Sequence, residues 1–247
     1  MKRKEVDIVY GIRPLIEAIQ SKKNIKKLFL QKGLNKKSNA YKKLITISEK
    51  KNIKIIQKYN FSKLKNKNHQ GVFARISPIK TYSIKDLLPK FYKKNPILII
   101  LDRITDVRNF GSIIRTANCA GVNAIIVPKK STAIINSDTI KTSSGALFKI
   151  PICKEKNISN TIKFLIQSGL KIVSATEKSN IYWYEIDFSG PIALILGNEE
   201  KGISPVNLKV SCEKVRIPSK KGFSSLNVSV ACGIILYEVF RQRNKLI

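Results

Sequence analysis

The sequence predicts an α/β protein in two parts: a small mixed N-terminal domain and a larger domain built on a parallel sheet. Three observations carry that reading. Short apolar runs of strand length alternate with stretches of helical periodicity along the whole chain. From Pro96 onward the apolar runs are continuous, as strands covered on both faces must be. Between the halves lies a proline-bearing stretch, SPIKTYSIKDLLPKFYKKNP at 77–96, which favours extended and turn conformations. The expected boundaries are 1–76 for the first domain, 77–95 for a linker with a short helix, and 96–247 for the second domain.

In the first part, Ile12, Leu15, Ile16 and Ile19 fall at helical spacing after a glycine, so residues 10–20 read as a helix. A strand is expected at 25–30 (IKKLFL), a helix at 40–51, and strands at 53–56 and 72–76. A short helix at 83–93 opens the second part. There, ILIIL (97–101), AIIV (124–127), LKIVSA (170–175), IALIL (192–196) and VRIP (215–218) read as strands. The intervening helices are expected at 111–120, 158–168 and 226–241, the last of them apolar along much of its length.

The chain has 247 residues, ample to bury a core. It carries 47 Lys+Arg against 16 Asp+Glu, a net charge of +31. Such an excess points to a polyanionic partner, because contacting several phosphates requires a Lys/Arg surface. A membrane surface, or compositional drift in a chain rich in Lys, Ile and Asn, are the alternatives. The excess is uneven: residues 1–80 hold 22 Lys/Arg and 4 Asp/Glu (net +18), while residues 81–247 hold 25 and 12 (net +13). The first third is therefore the candidate substrate-docking module. No apolar run reaches 18 residues, and the basic N-terminus lacks the apolar core of a signal peptide, so a cytoplasmic protein with no membrane partner is expected.

The four cysteines, Cys119, Cys153, Cys212 and Cys232, show no CxxC spacing and read as reduced, mostly buried thiols. With His69 the only histidine, a His-based zinc site is excluded, and imidazole-relay chemistry is excluded unless His69 serves it. No metal site is expected.

Three loops follow strand ends, where open α/β sheets build their sites. They are LDRITDVRNFGSIIR (101–115), LGNEEKGI (196–203) and IPSKKGFSSLNVSVA (217–231). Each also has a plain structural reading. Asn109 could be a helix N-cap with Gly111 in a tight turn, LGNEEKG a solvated turn, and Ser224 or Ser225 the cap of the last helix. No two of the twelve glycines lie two residues apart, so the GxGxxG dinucleotide fingerprint is absent, as is GxxxxGK[ST].

Taken in order, N109-x-G111-x-x-x-R115-x-A117, L196-G197-N198-E199-x-x-G202 and I217-P218 followed by S224-S225-L226-N227-V228-S229-V230-A231 resemble the three motifs of the SpoU (TrmH) class of the SPOUT superfamily. These are RNA ribose 2′-O-methyltransferases. The resemblance runs from about residue 97 to Arg243. It implies a trefoil-knotted, parallel-sheet C-terminal domain in which the second and third loops form an S-adenosylmethionine pocket. VYGIRPLIEAI and His69-Gln70-Gly71-Val72 are similar to the substrate domain of the branch that methylates a guanosine of large-subunit rRNA, a domain like the ribosomal L30e fold. In that case His69 is a packing or hinge residue.

The resemblance implies Thr176, Leu196, Gly197, Ile217 and Leu226 as cofactor-binding positions. It implies Arg115, Asn109, Glu199 and Asn227 as catalytic positions, with Arg115 and Ser225 meeting the substrate, an rRNA. It further implies a homodimer with the site built across both subunits. Two residues depart from the pattern: Glu200 stands where a glycine is usual, and Ser219 where a methionine is usual. A guanidinium with a pKa above about 12 is an awkward base. Arg115 is therefore expected to clamp a substrate phosphate and stabilise the developing alkoxide. A tRNA enzyme of the same class and a non-catalytic rRNA-binding or assembly factor are the alternatives.

Overall fold

The computed structural model describes residues 7–32, 38–58, 61–91, 95–220 and 225–244. In chain order the elements are β1 (Asp7–Tyr10), α1 (Ile12–Gln20), β2 (Lys27–Gln31), α2 (Asn39–Lys50), β3 (Lys54–Lys58), β4 (Val72–Ile76), α3 (Ile84–Phe91), β5 (Ile97–Asp102), α4 (Val107–Cys119), β6 (Ala124–Pro128), α5 (Ser137–Thr142), β7 (Ile152–Glu155), α6 (Ile158–Gln167), β8 (Lys171–Ala175), β9 (Ile192–Gly197), α7 (Pro205–Val210), β10 (Glu213–Val215) and α8 (Val228–Arg243). Two compact units result: Met1–Lys80 with Ile135–Lys149, and Thr81–Ile134 with Ile150–Ile247.

The first unit is a four-stranded sheet in the order β1-β4-β2-β3, with β2 and β3 parallel and the other pairs antiparallel. Helix α1 buries Pro14, Leu15, Ile16, Ala18 and Ile19. The segment 135–149 belongs to this unit although it lies between β6 and β7 in sequence. Tyr10 Oη donates to Asp138 Oδ1 at 2.5 Å, and Lys67 Nζ meets Asp138 Oδ2 at 2.6 Å. Gly145 takes φ +86°, and a Cβ there would come within 2.6 Å of Glu17 Cβ, so this turn needs glycine twice over. His69 packs: its Nδ1 accepts the Gly71 N–H at 2.9 Å and its ring stacks on Phe61 at 4.9 Å.

The second unit is a six-stranded, all-parallel sheet in the order β10-β8-β9-β5-β6-β7. On one face Leu98, Ile100, Ile126, Ile172, Ala193 and Ile195 pack with Ile158, Ile162 and Leu165 of α6. Ile97, Ile99 and Leu101 point the other way and are equally buried. That burial on both faces is what the unbroken apolar runs encode. Glu155 joins the start of α3 to β7: its carboxylate accepts from Ile84 N (2.7 Å) and Ser83 Oγ (3.2 Å).

Several expectations need correcting. The strand expected at 215–218 ends at Val215; Arg216 keeps an isolated bridge to Tyr182, and Pro218 has no N–H with which to continue pairing. The helix expected from Gly111 begins four residues earlier, because Asp106 caps it through Arg108 N (2.5 Å) and Asn109 N (2.9 Å). Asn109 is therefore not the cap. Helix α8 is capped by Asn227 rather than Ser225, and Ser224 lies outside the described residues. Only Cys153 and Cys232 of the four thiols are buried, and burial pushes both up to about 12. Strands β1 and β7 and helices α5 and α7 are too short for periodicity to reveal.

Candidate active site

The three loops singled out in the sequence leave the carboxyl ends of β5, β9 and β10, all within the second unit. Strands β5 and β9 are direct neighbours, with Leu101 opposite Leu196 and Asp102 opposite Gly197. The parallel sheet thus delivers the first two loops side by side.

The loop after β9 closes on itself. Asn198 N donates to Gly202 O (3.1 Å) and Gly202 N to Asn198 O (2.9 Å), while Asn198 Oδ1 accepts from Glu200 N (3.0 Å) and Lys201 N (3.1 Å). Gly197 is dictated by sterics, since a Cβ there would run into the Gly202 carbonyl carbon and the Ile203 nitrogen. Gly202 supplies the positive φ of 63° that the turn requires. Glu200 is not among the residues of positive φ, so the departure from glycine is accommodated without strain.

The loop is tied to the first by residues to which the motifs assign no role. Asn198 Nδ2 donates to Arg103 O at 3.1 Å, and Arg103 sits in the left-handed region at φ 63°. Buried Asp102 accepts from Ser204 N (2.7 Å), Asn207 Nδ2 (3.0 Å) and Arg103 Nε (3.1 Å). A carboxylate at the end of an apolar strand was the available signal for this anchor.

A second polar chain links all three loops. Asn109 Nδ2 donates to Glu199 Oε1 at 2.7 Å, and Asn227 Nδ2 donates to Asn109 Oδ1 at 3.0 Å. Asn227 Oδ1 meanwhile accepts from Ser229 N (2.9 Å), Val230 N (3.4 Å) and Ser229 Oγ (2.6 Å). Because Asp106 takes over the capping of α4, the Asn109 amide is left to bridge Glu199 and Asn227.

Beside this chain lies a cleft of about 720 Å³. Thr176, Leu196, Gly197, Ile217 and Leu226 all line it, as do Glu199, Ser225 and both departing residues, Glu200 and Ser219. The size suits a nucleoside with an amino-acid tail. The lining also suits one: apolar side chains from Leu196, Ile217 and Leu226 sit among backbone turns. Among the described residues, no hydrogen bond engages the backbone of Ile217, which leaves an amide N–H and a carbonyl for a purine edge. Arg216 Nε is buried there with no hydrogen-bond partner among the described residues. The residues present therefore fit an adenosyl cofactor. Tyr182 and Arg216 also line the cleft and were missed, although Arg216 directly precedes the Ile-Pro pair.

Arg115 stands apart. Six residues beyond Asn109 it has turned about 120° around α4, and it lies on the exposed stripe with Arg108, Ser112 and Cys119. It does not line the cleft and has no hydrogen-bond or ionic partner among the described residues. Helix α4 packs on α8, with Thr116 facing Gly233, and α8 exposes Val230 and Tyr237 by about half. No group of three metal-ligating side chains occurs among the described residues.

Comparison with known proteins gives the family of the chain. Residues 96–237 match the SpoU rRNA methylase family, and residues 8–82 match the RNA 2′-O ribose methyltransferase substrate-binding domain. The chain is 36% identical to the 23S rRNA (guanosine-2′-O-)-methyltransferase RlmB of Blochmanniella floridana, over 96% of this chain and 95% of the relative. An uncharacterised tRNA/rRNA methyltransferase of Synechocystis is 31% identical over 96% of this chain, which spans 63% of that longer protein. The crystal structure of the SpoU methyltransferase AviRb from Streptomyces viridochromogenes, in complex with AdoMet, has the same fold, with a TM-score of 0.80 and 24% identity over 97% of this chain and 91% of that one.

Proposed function

Because the chain belongs to the SpoU rRNA methylase family, we propose that it methylates the ribose 2′-hydroxyl of a guanosine in large-subunit rRNA, working as a cytoplasmic homodimer. It is an RNA 2′-O-methyltransferase, and S-adenosylmethionine is its cofactor. The observation that carries the finer reading is the relative named for 23S rRNA guanosine, which aligns across both the substrate-binding and the methylase regions.

The bound cofactor supplies a sulfonium methyl group; this chain's residues hold and aim the reactants. Leu196, Ile217 and Leu226, which line the cleft, would enclose the adenosine, and Thr176 and Gly197 would shape the wall around it. Holding two reactants in line accounts for much of the rate in a transfer of this kind. Asn109, Glu199 and Asn227 act together: Glu199 orients the Asn109 amide, and Asn227 fixes its far end. Ser225 meets the substrate, a reading supported by its exposed position on the lining of the cleft.

Arg115 clamps a substrate phosphate and stabilises the alkoxide that forms on the ribose. Its place away from its own cleft supports a site completed across two copies, with the exposed Val230 and Tyr237 of α8 available for the apposition.

The direct test maps 2′-O-methyl groups in ribosomal and transfer RNA from cells with and without the gene. Loss of a single guanosine methylation in large-subunit rRNA is expected; loss of a tRNA methylation instead refutes the substrate assignment. Arg115→Lys keeps the charge but loses the two-pronged donor, so turnover is expected to fall by about 100-fold or more, on the order of 2.7 kcal/mol. Near-wild-type turnover in that variant eliminates the clamp.

A further inference from the structure

Next to the cleft, the segment Ile181–Glu185 carries three consecutive aromatic residues, of which Tyr182 alone lines the cleft. Its backbone is fastened to the chain leaving β10: Arg216 N donates to Ile181 O (2.9 Å), and Trp183 N donates to Arg216 O (3.1 Å). Ser179 Oγ, bonded to Lys214 O at 2.6 Å, also accepts the Ile181 N–H at 3.1 Å. Glu185 closes the turn, accepting from Tyr182 N (2.5 Å) while its own N–H donates to Tyr182 O (3.1 Å).

On this hydrogen-bonded strip the rings form a ledge. Tyr182 and Tyr184 lie nearly parallel, 12° apart with centroids at 5.5 Å, and Trp183 meets Tyr184 edge-on at 4.8 Å. The Arg216 guanidinium covers the Tyr182 ring at 4.8 Å and donates to its hydroxyl at 3.2 Å. The ledge thus begins at the cleft wall, which Tyr182 and Arg216 line, and runs outward to Tyr184, which is 52% exposed, and Ile181, which is 43% exposed.

Tyr184 leaves about half of its surface open to solvent, while Tyr182 and Trp183 beside it are half-buried. A ring held open beside cations is what an unpaired nucleobase stacks on, since every base has a π-face and its phosphates need positive charge nearby. Arg216 supplies that charge at the Tyr182 ring, exposed Lys178 and Lys214 lie on the adjoining backbone, and the Glu185 carboxylate is already engaged with the Tyr182 amide.

We propose that the Tyr182–Trp183–Tyr184 ledge, steadied by Arg216, stacks an unpaired base of the RNA substrate beside the cofactor cleft. The proposal rests on the reading of this chain as an RNA methyltransferase and adds a base-contact site to it.

Trp183 is the only tryptophan, so its fluorescence reports on the ledge alone. The full-length protein is titrated with a single-stranded RNA oligonucleotide unable to pair with itself, and binding is followed in parallel by anisotropy of an end label. Quenching of Trp183 that tracks the anisotropy is expected. Tyr184→Ala, on an exposed ring, should bind about ten-fold more weakly with unchanged melting temperature and unchanged S-adenosylhomocysteine affinity; Tyr184→Phe should bind as the wild type does. RNA that binds without altering Trp183 emission, fails to bind as a single strand, or binds Tyr184→Ala with wild-type affinity overturns the ledge. Absence of S-adenosylhomocysteine binding in the wild type would instead strike the methyltransferase reading, and the two failures are read on separate axes.

Discussion

Two demands meet on the side chain of Asn227. Its carbonyl oxygen caps α8 and its amide nitrogen holds Asn109, so one residue ties helix stability to the polar chain between the loops. Substitution separates the two. Asn227→Asp keeps an oxygen for the Ser229 and Val230 amides but replaces the donor facing Asn109 with an acceptor. Stability should stay within a few tenths of a kcal/mol while methyl transfer falls by about ten-fold or more. Asn227→Ala loses the cap as well, costing about 1 kcal/mol of stability besides. Chemical denaturation and methyl-transfer assays on the two variants read this directly; equal stability losses in both would show that the cap is not where the structure places it. The sequence left Asn109 open between cap and site residue, because Asp106 and Asn109 are both good capping residues three positions apart. Only the geometry decides between them.

At the scale of elements, the long apolar strands were readable because burial on both faces leaves no alternation to interpret. The six-residue helices α5 and α7 were not, since a turn and a half carries too little periodicity. Helix α5 was doubly hidden, as one of the groups that hold it, Tyr10, lies 128 residues away in sequence. That pairing makes a pH-dependent contact. Burial, then the Asp138 hydrogen bond and charge, raise the Tyr10 pKa well above its ordinary value near 10. A raised pKa means that the folded state favours the neutral phenol. Its contribution is whole below pH 10 and is lost as pH climbs beyond it. For Asp138, burial pushes the pKa up, but the Lys67 and Tyr10 hydrogen bonds outweigh it and the net shift is downward. That contribution is present above the ordinary carboxylate pKa of about 3.9 and is lost as pH falls below it. Tyr10→Phe should therefore cost about 1 kcal/mol at neutral pH and flatten the fall in melting temperature above pH 10. Melting curves of wild type and variant that stay parallel through the alkaline range would remove Tyr10 from this role.

For the molecule as a whole, the charge of +31 was legible from composition, but its cause was not, because drift toward lysine and selection for RNA binding leave the same letters. Structure and electrostatics together supply a way to tell them apart. Lys22, Lys26 and Lys27 are exposed on the first unit, within the third of the chain that carries net +18. If these lysines contact phosphates, binding releases condensed counterions, and the logarithm of affinity falls linearly with the logarithm of salt concentration. Each contact adds about 0.7 to 0.9 to the slope, so a surface making six of them loses roughly a thousand-fold in affinity between about 50 and 200 mM salt. Changing the three lysines to glutamine should lower the slope by about two to 2.7 and weaken binding of an rRNA fragment about equally for every sequence tested. S-adenosylhomocysteine affinity should not move, because the cleft is lined entirely from the second unit. Drift makes the opposite forecast: wild type and triple variant would give the same slope, and the +18 would be charge without a partner.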